Sequence, residues 1–174
     1  MDESELRAQL ETHHAASFGW ALNCCARRRA EAEDVLQTVY LKILQGRARF
    51  AGRSAFRTWL FAVIRRTAAD ARRRFWLRQL ALAGYARERQ LQPAVAAADR
   101  ALEQTETQRA FQAALAQLPR RQREVVHLVF YQDLTIQDSA SVMGVSVGSA
   151  RTHYERAKQR LRGWLQTRER EHET

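Results

Sequence analysis

Gly144 stands between two short apolar repeats, and that arrangement constrains the fold more tightly than anything else in the chain. Before it, Ile136, Ala140 and Met143 share one helical face; after it, Ala150, Tyr154, Ala157 and Leu161 recur at i, i+4, i+7 and i+11. A glycine in the left-handed region joins two such helices through a tight turn, with Val145 sealing the corner. Thr135, with Asp138 three residues on, resembles a capping box and starts a helix at Ile136, and Ser146 caps the next one. Ala140 is small enough for a close helix crossing. Ser139 stands where such motifs usually carry an apolar residue.

The rest of the chain agrees with an all-α fold. Only seven Gly and two Pro interrupt 174 residues, and no stretch alternates long enough for a sheet. Leu6, Leu10, Phe18, Leu22 and Cys25 predict a first helix over Glu5–Arg28, broken in pattern by the polar pair His13 and His14. Val35, Leu36, Val39, Ile43 and Leu44 predict a second over Ala30–Gln45, stopped by Gly46. After the loop "GRARFAGR", Ser54 is placed to cap a third helix with Phe56, Leu60, Val63 and Ile64 inward, ending in Arg72, Arg73 and Arg74. "FWLRQLALAGYA" either prolongs that helix or adds a short one. Gly84 and Pro93 then mark a linker. A further helix carries Phe111, Ala114, Leu115 and Leu118, and Pro119 opens the next at its first position, with Val125, Leu128 and Val129 facing the core. The expectation is two small helical domains joined by a flexible linker: 1–75, a linker over 76–104, then 105–168 and a charged tail over 169–174.

Charge narrows the function. With 29 Lys plus Arg against 19 Asp plus Glu, the formal charge is +10, which suits a polyanionic partner, nucleic acid first, although basic membrane-surface proteins share it. Residues Met1 to Arg74 hold 14 basic and 8 acidic side chains, so most of the excess lies there. No run approaches the roughly 18 apolar residues of a membrane span, and the first residues lack a signal-peptide pattern, so no membrane insertion and a cytoplasmic location are expected. Cys24 and Cys25 are adjacent, where a mutual disulfide would be strained, and read as small helix residues. Five scattered histidines without ligand spacing, and no P-loop, predict no metal, no cofactor, no small-molecule substrate and no enzymatic activity.

On the helix after Gly144, Ser149, Arg151, Thr152, Glu155 and Arg156 are left on the outward face, near enough to its N-terminus to enter a major groove. Glu155 either accepts from a cytosine amino group, holds a neighbouring arginine, or faces solvent beside the groove.

These residues carry a family likeness. "LPRRQREVVHLVFYQDLTIQDSASVMGVSVGSARTHYERAKQRLR" resembles region 4 of the extracytoplasmic-function sigma factors, small two-domain members of the sigma-70 family of bacterial RNA polymerase. "AEAEDVLQTVYLKILQGRARFAGRSAFRTWLFAVIRRTAADARRR" resembles their region 2. The resemblance implies a sigma subunit without catalysis of its own. Its implied partners are core RNA polymerase, through the β′ clamp helices and the β flap, promoter DNA and an anti-sigma factor. The rival is a stand-alone helix-turn-helix regulator whose N-terminal block senses or dimerises.

By the same resemblance Asp34 and Gln37 meet the clamp helices, sharing one helical face. Thr38 stands where the family usually has Glu. Recognition and melting of the minus-10 element fall on Arg47, Arg49, Phe50, Arg53, Arg57, Arg66 and Arg73. Phe50 either stacks on a flipped base or anchors its loop on the core. Trp59 reads mostly as core, and Arg66 replaces a common Asn. The minus-35 contacts carry over onto Ser149, Arg151, Thr152, Glu155 and Arg156, the same face that spacing selected.

Overall fold

A computed structural model describes residues 2–85 and 106–172, and among them every regular element is a helix, with no strand. The helices belong to two compact units. The expected linker beyond residue 85 and the last two residues of the tail lie outside the described residues.

The first unit holds α1 (Glu3–Thr12), α2 (His14–Cys24), α3 (Arg29–Leu44) and α4 (Phe56–Tyr85). Asp2 starts α1 by accepting the Glu5 backbone N–H at 2.8 Å. The single helix expected over Glu5–Arg28 is in fact two. The backbone of His13 leaves helical geometry at φ −97°, ψ 6°, and caps α1 by donating its N–H to Gln9 O. The second helix ends at Cys24, because Ala26 and Arg27 adopt φ of +51° and +62°, a conformation that ends a right-handed helix.

Trp20, Ala21, Val39, Leu60, Phe61 and Ile64 form the dry centre where α2, α3 and α4 meet. Trp20 is wholly buried, so its indole N–H needs a partner, and it donates to Phe61 O at 3.0 Å. That bond pins α2 to α4. Along α3, Ala32, Val35, Leu36, Val39 and Ile43 face inward, whereas Leu44, expected among them, is 48 % exposed because it stands five residues after Val39, about 140° round the helix from it. Gly46, at φ +68°, turns the chain out of α3 with its N–H on Ile43 O. Ser54 falls one residue short of the capping position: its hydroxyl donates to Ala55 O, and Ala55 O is the carbonyl that accepts from Trp59 N. α4 does not stop at Arg74. It continues through "FWLRQLALAGY" for 30 residues in all, roughly 45 Å at the helical rise.

The second unit holds α5 (Glu106–Gln117), α6 (Arg120–Val126) with a π-helical turn His127–Tyr131, α7 (Ile136–Met143) and α8 (Val147–His172). Phe111 is helical, but its side chain lies outside the described residues. Pro119 is the N-cap of α6 rather than its first helical residue: at ψ 144° it is still extended, and its carbonyl accepts from Gln122 and Arg123. Leu118, Val126 and Ala157 are buried together, with Leu115, Tyr154 and Leu161 packed against them. Val125 and Leu128 are fully buried, while Val129 is half-buried.

One buried charge was not anticipated. Glu124 is 1 % exposed and takes Arg120 at 2.8 Å and Arg121 at 3.5 Å. Arg121 also donates to Met143 O at 3.1 Å, the carbonyl end of α7. The trio therefore ties α6 to the turn that follows α7, where an unpaired carboxylate would be costly.

Candidate nucleic-acid interface

The turn between α7 and α8 is built as its sequence requires. Thr135 Oγ1 accepts the Asp138 N–H at 3.0 Å, and its own hydroxyl donates to the Asp138 carboxylate at 2.6 Å. Gly144 takes φ +64° with open space around it, so the backbone conformation, and not crowding, demands glycine there. Val145 N then returns to Ala140 O at 3.1 Å, and Ser146 Oγ accepts the Ser149 N–H at 3.1 Å to begin α8. Ala140, Ala150 and Ala157 are at most 2 % exposed, where the helices cross.

Opposite that seam Ser149, Arg151, Thr152, Glu155 and Arg156 are all exposed in the first turns of α8. Ser146 donates its hydroxyl to Ser149 Oγ at 2.9 Å, and Thr152 donates its own to Gly148 O at 3.0 Å. Both therefore face outward with lone pairs and, for Thr152, a methyl group. Glu155 does not hold an arginine: its carboxylate pairs with Lys158 at 2.8 Å, and Lys158 also lies 5.0 Å from the centre of the Tyr154 ring. The charge of Arg151 and Arg156 is left for a partner, since neither has an ion pair among the described residues.

In the first unit the loop after α3 folds back on itself through Arg49, whose Nε donates to Gly46 O at 3.1 Å. Phe50 is half-buried, 5.4 Å from the Phe56 ring in an edge-on pair and 5.4 Å from Trp59, and those two are 5.3 Å apart. A ring so placed anchors the loop on α4. Beside it the end of α3, the loop and α4 enclose a groove lined by Lys42, Arg47, Arg49, Trp59, Arg66 and Asp70. Arg47, Arg49 and Arg66 are thus brought together. Arg53 and Arg73 are exposed but do not line the groove, and Arg57 stands by His13, whose pKa is lowered by burial first and by Arg57 second.

Asp34 and Gln37 are exposed on α3, three residues apart. Asp34 reaches a separate cavity of about 220 Å³ between α3 and α4, whose lining includes Arg28, Arg72, Arg74 and Arg78. Both cysteines border it and are buried, and burial, with Glu31 nearby, pushes the Cys25 thiol up to about 11.

Comparison with known proteins bears on both faces. The family model for Sigma-70 region 2 matches residues 10–78, and that for Sigma-70, region 4, matches residues 108–161. The extracytoplasmic-function sigma factor SigX of Bacillus subtilis is 30 % identical over 167 residues, 92 % of this chain and 83 % of SigX. The chain belongs to the extracytoplasmic-function sigma factors. SigM of Mycobacterium tuberculosis is 30 % identical over 162 residues, 91 % of this sigma factor and 78 % of SigM. The sigma factor RpoE of Bartonella quintana, solved in complex with the anti-sigma factor NepR, superposes with a TM-score of 0.74 over 93 % of this chain and 97 % of its own, at 22 % identity. That likeness is one of fold.

In this sigma factor the five side chains expected outward on α8 are exposed, as helical spacing requires, whereas the region 2 groove was only half legible. Lys42 and Asp70 were not singled out, and Trp59, read mostly as core, is half-buried and lines the groove with its remaining surface. The missing signal is tertiary: Lys42 lies on α3 and Asp70 on α4, and only the packing of the two helices sets them side by side.

Proposed function

We propose that this sigma factor reads a promoter at two places, with region 4 (105–168) on the minus-35 element and region 2 (1–75) on the minus-10 element. The observation that carries the reading is the pairing of two sigma regions, in order, with an exposed, unpaired arginine face in each unit. On α8, Arg151 and Arg156 suit guanine edges or phosphates, Thr152 a thymine methyl, and Ser149 the backbone beside the helix N-terminus. Glu155 lies among them, able to accept from cytosine once Lys158 turns to a phosphate.

In region 2, Arg47, Arg49 and Arg66 hold single-strand phosphates along the groove, joined from outside it by Arg53, Arg57 and Arg73. Phe50, packed edge-on against Phe56, serves as an anchor that orients Trp59 rather than as the stacking ring. Asp34 and Gln37 present the polar face on which the β′ clamp helices of core polymerase dock, with the β flap engaging region 4. The relative bound to NepR supports an anti-sigma factor as a further partner. No described helix is long and apolar enough to cross a membrane, which accords with work in the cytoplasm beside polymerase.

Run-off transcription with purified core polymerase over a promoter library tests the reading. Selective initiation only when both components are present is expected. A tight footprint on a palindrome without core would instead make the chain a stand-alone helix-turn-helix regulator.

A further inference from the structure

The groove of the first unit contains one side chain of the wrong sign for phosphate. Lys42, Arg47, Arg49 and Arg66 line it, yet so does Asp70, its one carboxylate. Asp70 is exposed, and it has neither an ion pair nor a hydrogen bond among the described residues. Lys42, the cation on α3, is turned to Thr67, donating to its hydroxyl at 3.2 Å. An unpaired carboxylate in a cationic groove repels the backbone that the four cations attract. What it can bind is a donor, because an ionised carboxylate accepts only.

A nucleic-acid strand lying in the groove offers such donors at its bases. The amino groups of cytosine, adenine and guanine are donors on the pairing edge, which an unstacked base leaves free, whereas the one donor of thymine there, N3–H, is flanked by two carbonyl oxygens that a carboxylate repels. Trp59 lines the same groove eleven residues earlier on α4, about 16 Å of helical rise from Asp70, so it is placed to stack a neighbouring base of the strand while Asp70 meets another. Resting on the reading of this unit as the minus-10 binder, we infer that Asp70 is a base-specificity determinant, accepting from the amino group of an unstacked base in the groove and selecting against thymine there. The cations hold the strand and the carboxylate reads it.

The test uses holoenzyme assembled from the full chain and core polymerase, with every base at each position of the minus-10 non-template strand. With Asp70→Ala the preference for amino-bearing bases over thymine falls roughly tenfold at one position, the size of one good base contact. Other positions keep their preferences. Asp70→Asn, which retains an acceptor oxygen, keeps part of the discrimination. On templates already opened by mismatches the same loss persists, because reading and not melting is affected. The inference is overturned if Asp70→Ala changes all promoters by one common factor, if no position changes preference, or if the loss disappears on opened templates. Failure of the unaltered protein to initiate selectively with core would instead overturn the promoter-reading proposal beneath it.

Discussion

Single side chains show where this protein departs from the simplest version of its own fold. Ser139 is wholly buried beside the helix-turn-helix seam, and its hydroxyl has no hydrogen-bond partner among the described residues. An unsatisfied buried hydroxyl costs free energy that a methyl group does not, so Ser139→Ala is expected to raise stability by about 1 kcal/mol in urea unfolding. A loss of stability would mean that the hydroxyl is satisfied in solution. Glu155 is the other such residue. Its pairing with Lys158 leaves it at the mouth of the reading face, not turned away from it. Glu155→Ala is expected to alter selectivity at one base pair of the upstream element in a transcription library. An equal change across all variants would reduce its role to charge tuning.

At the scale of elements, the turns do most to set geometry, and two residues with positive φ frame α7. Gly144, at φ +64°, follows it, and Asp133, at φ +48°, precedes it after the π-helical turn. The first is a glycine and carries no strain; the second is an aspartate in a region that side chains rarely adopt. Asp133→Gly therefore relieves strain, whereas Gly144→Ala introduces it, each by roughly 1 kcal/mol. Opposite shifts in melting temperature are expected, and shifts of the same sign would contradict this account of the turns. The helices around them were legible from period and caps: Thr135, Ser146 and the stripe Ala150, Tyr154, Ala157, Leu161 stand as the pattern requires. The breaks in the first unit were not. Nothing local announces that Ala26 and Arg27 turn left-handed, nor that α4 runs past three arginines to Tyr85, because arginine and leucine are both good helix formers.

For the whole molecule, core binding and DNA reading are assigned to different faces, and this separates their phenotypes. Asp34→Ala with Gln37→Ala removes two exposed side chains outside the buried core. Capture of core polymerase is expected to weaken while far-ultraviolet circular dichroism and the unfolding midpoint stay unchanged. Undiminished capture would release α3 from the clamp-helix role.

The helical class, the two units and the outward face of α8 are readable in the order of residues alone, because each follows from periodicity and local capping, which act over one or two turns. That Phe50 is held by Phe56 and Trp59, that Glu124 is buried beneath two arginines, and that Lys42, Arg66 and Asp70 share one groove emerges only on folding. One cause underlies all three. Charge and aromaticity are properties of a residue, but whether a carboxylate is paired, or a ring covered, depends on neighbours that a second helix brings from elsewhere in the chain.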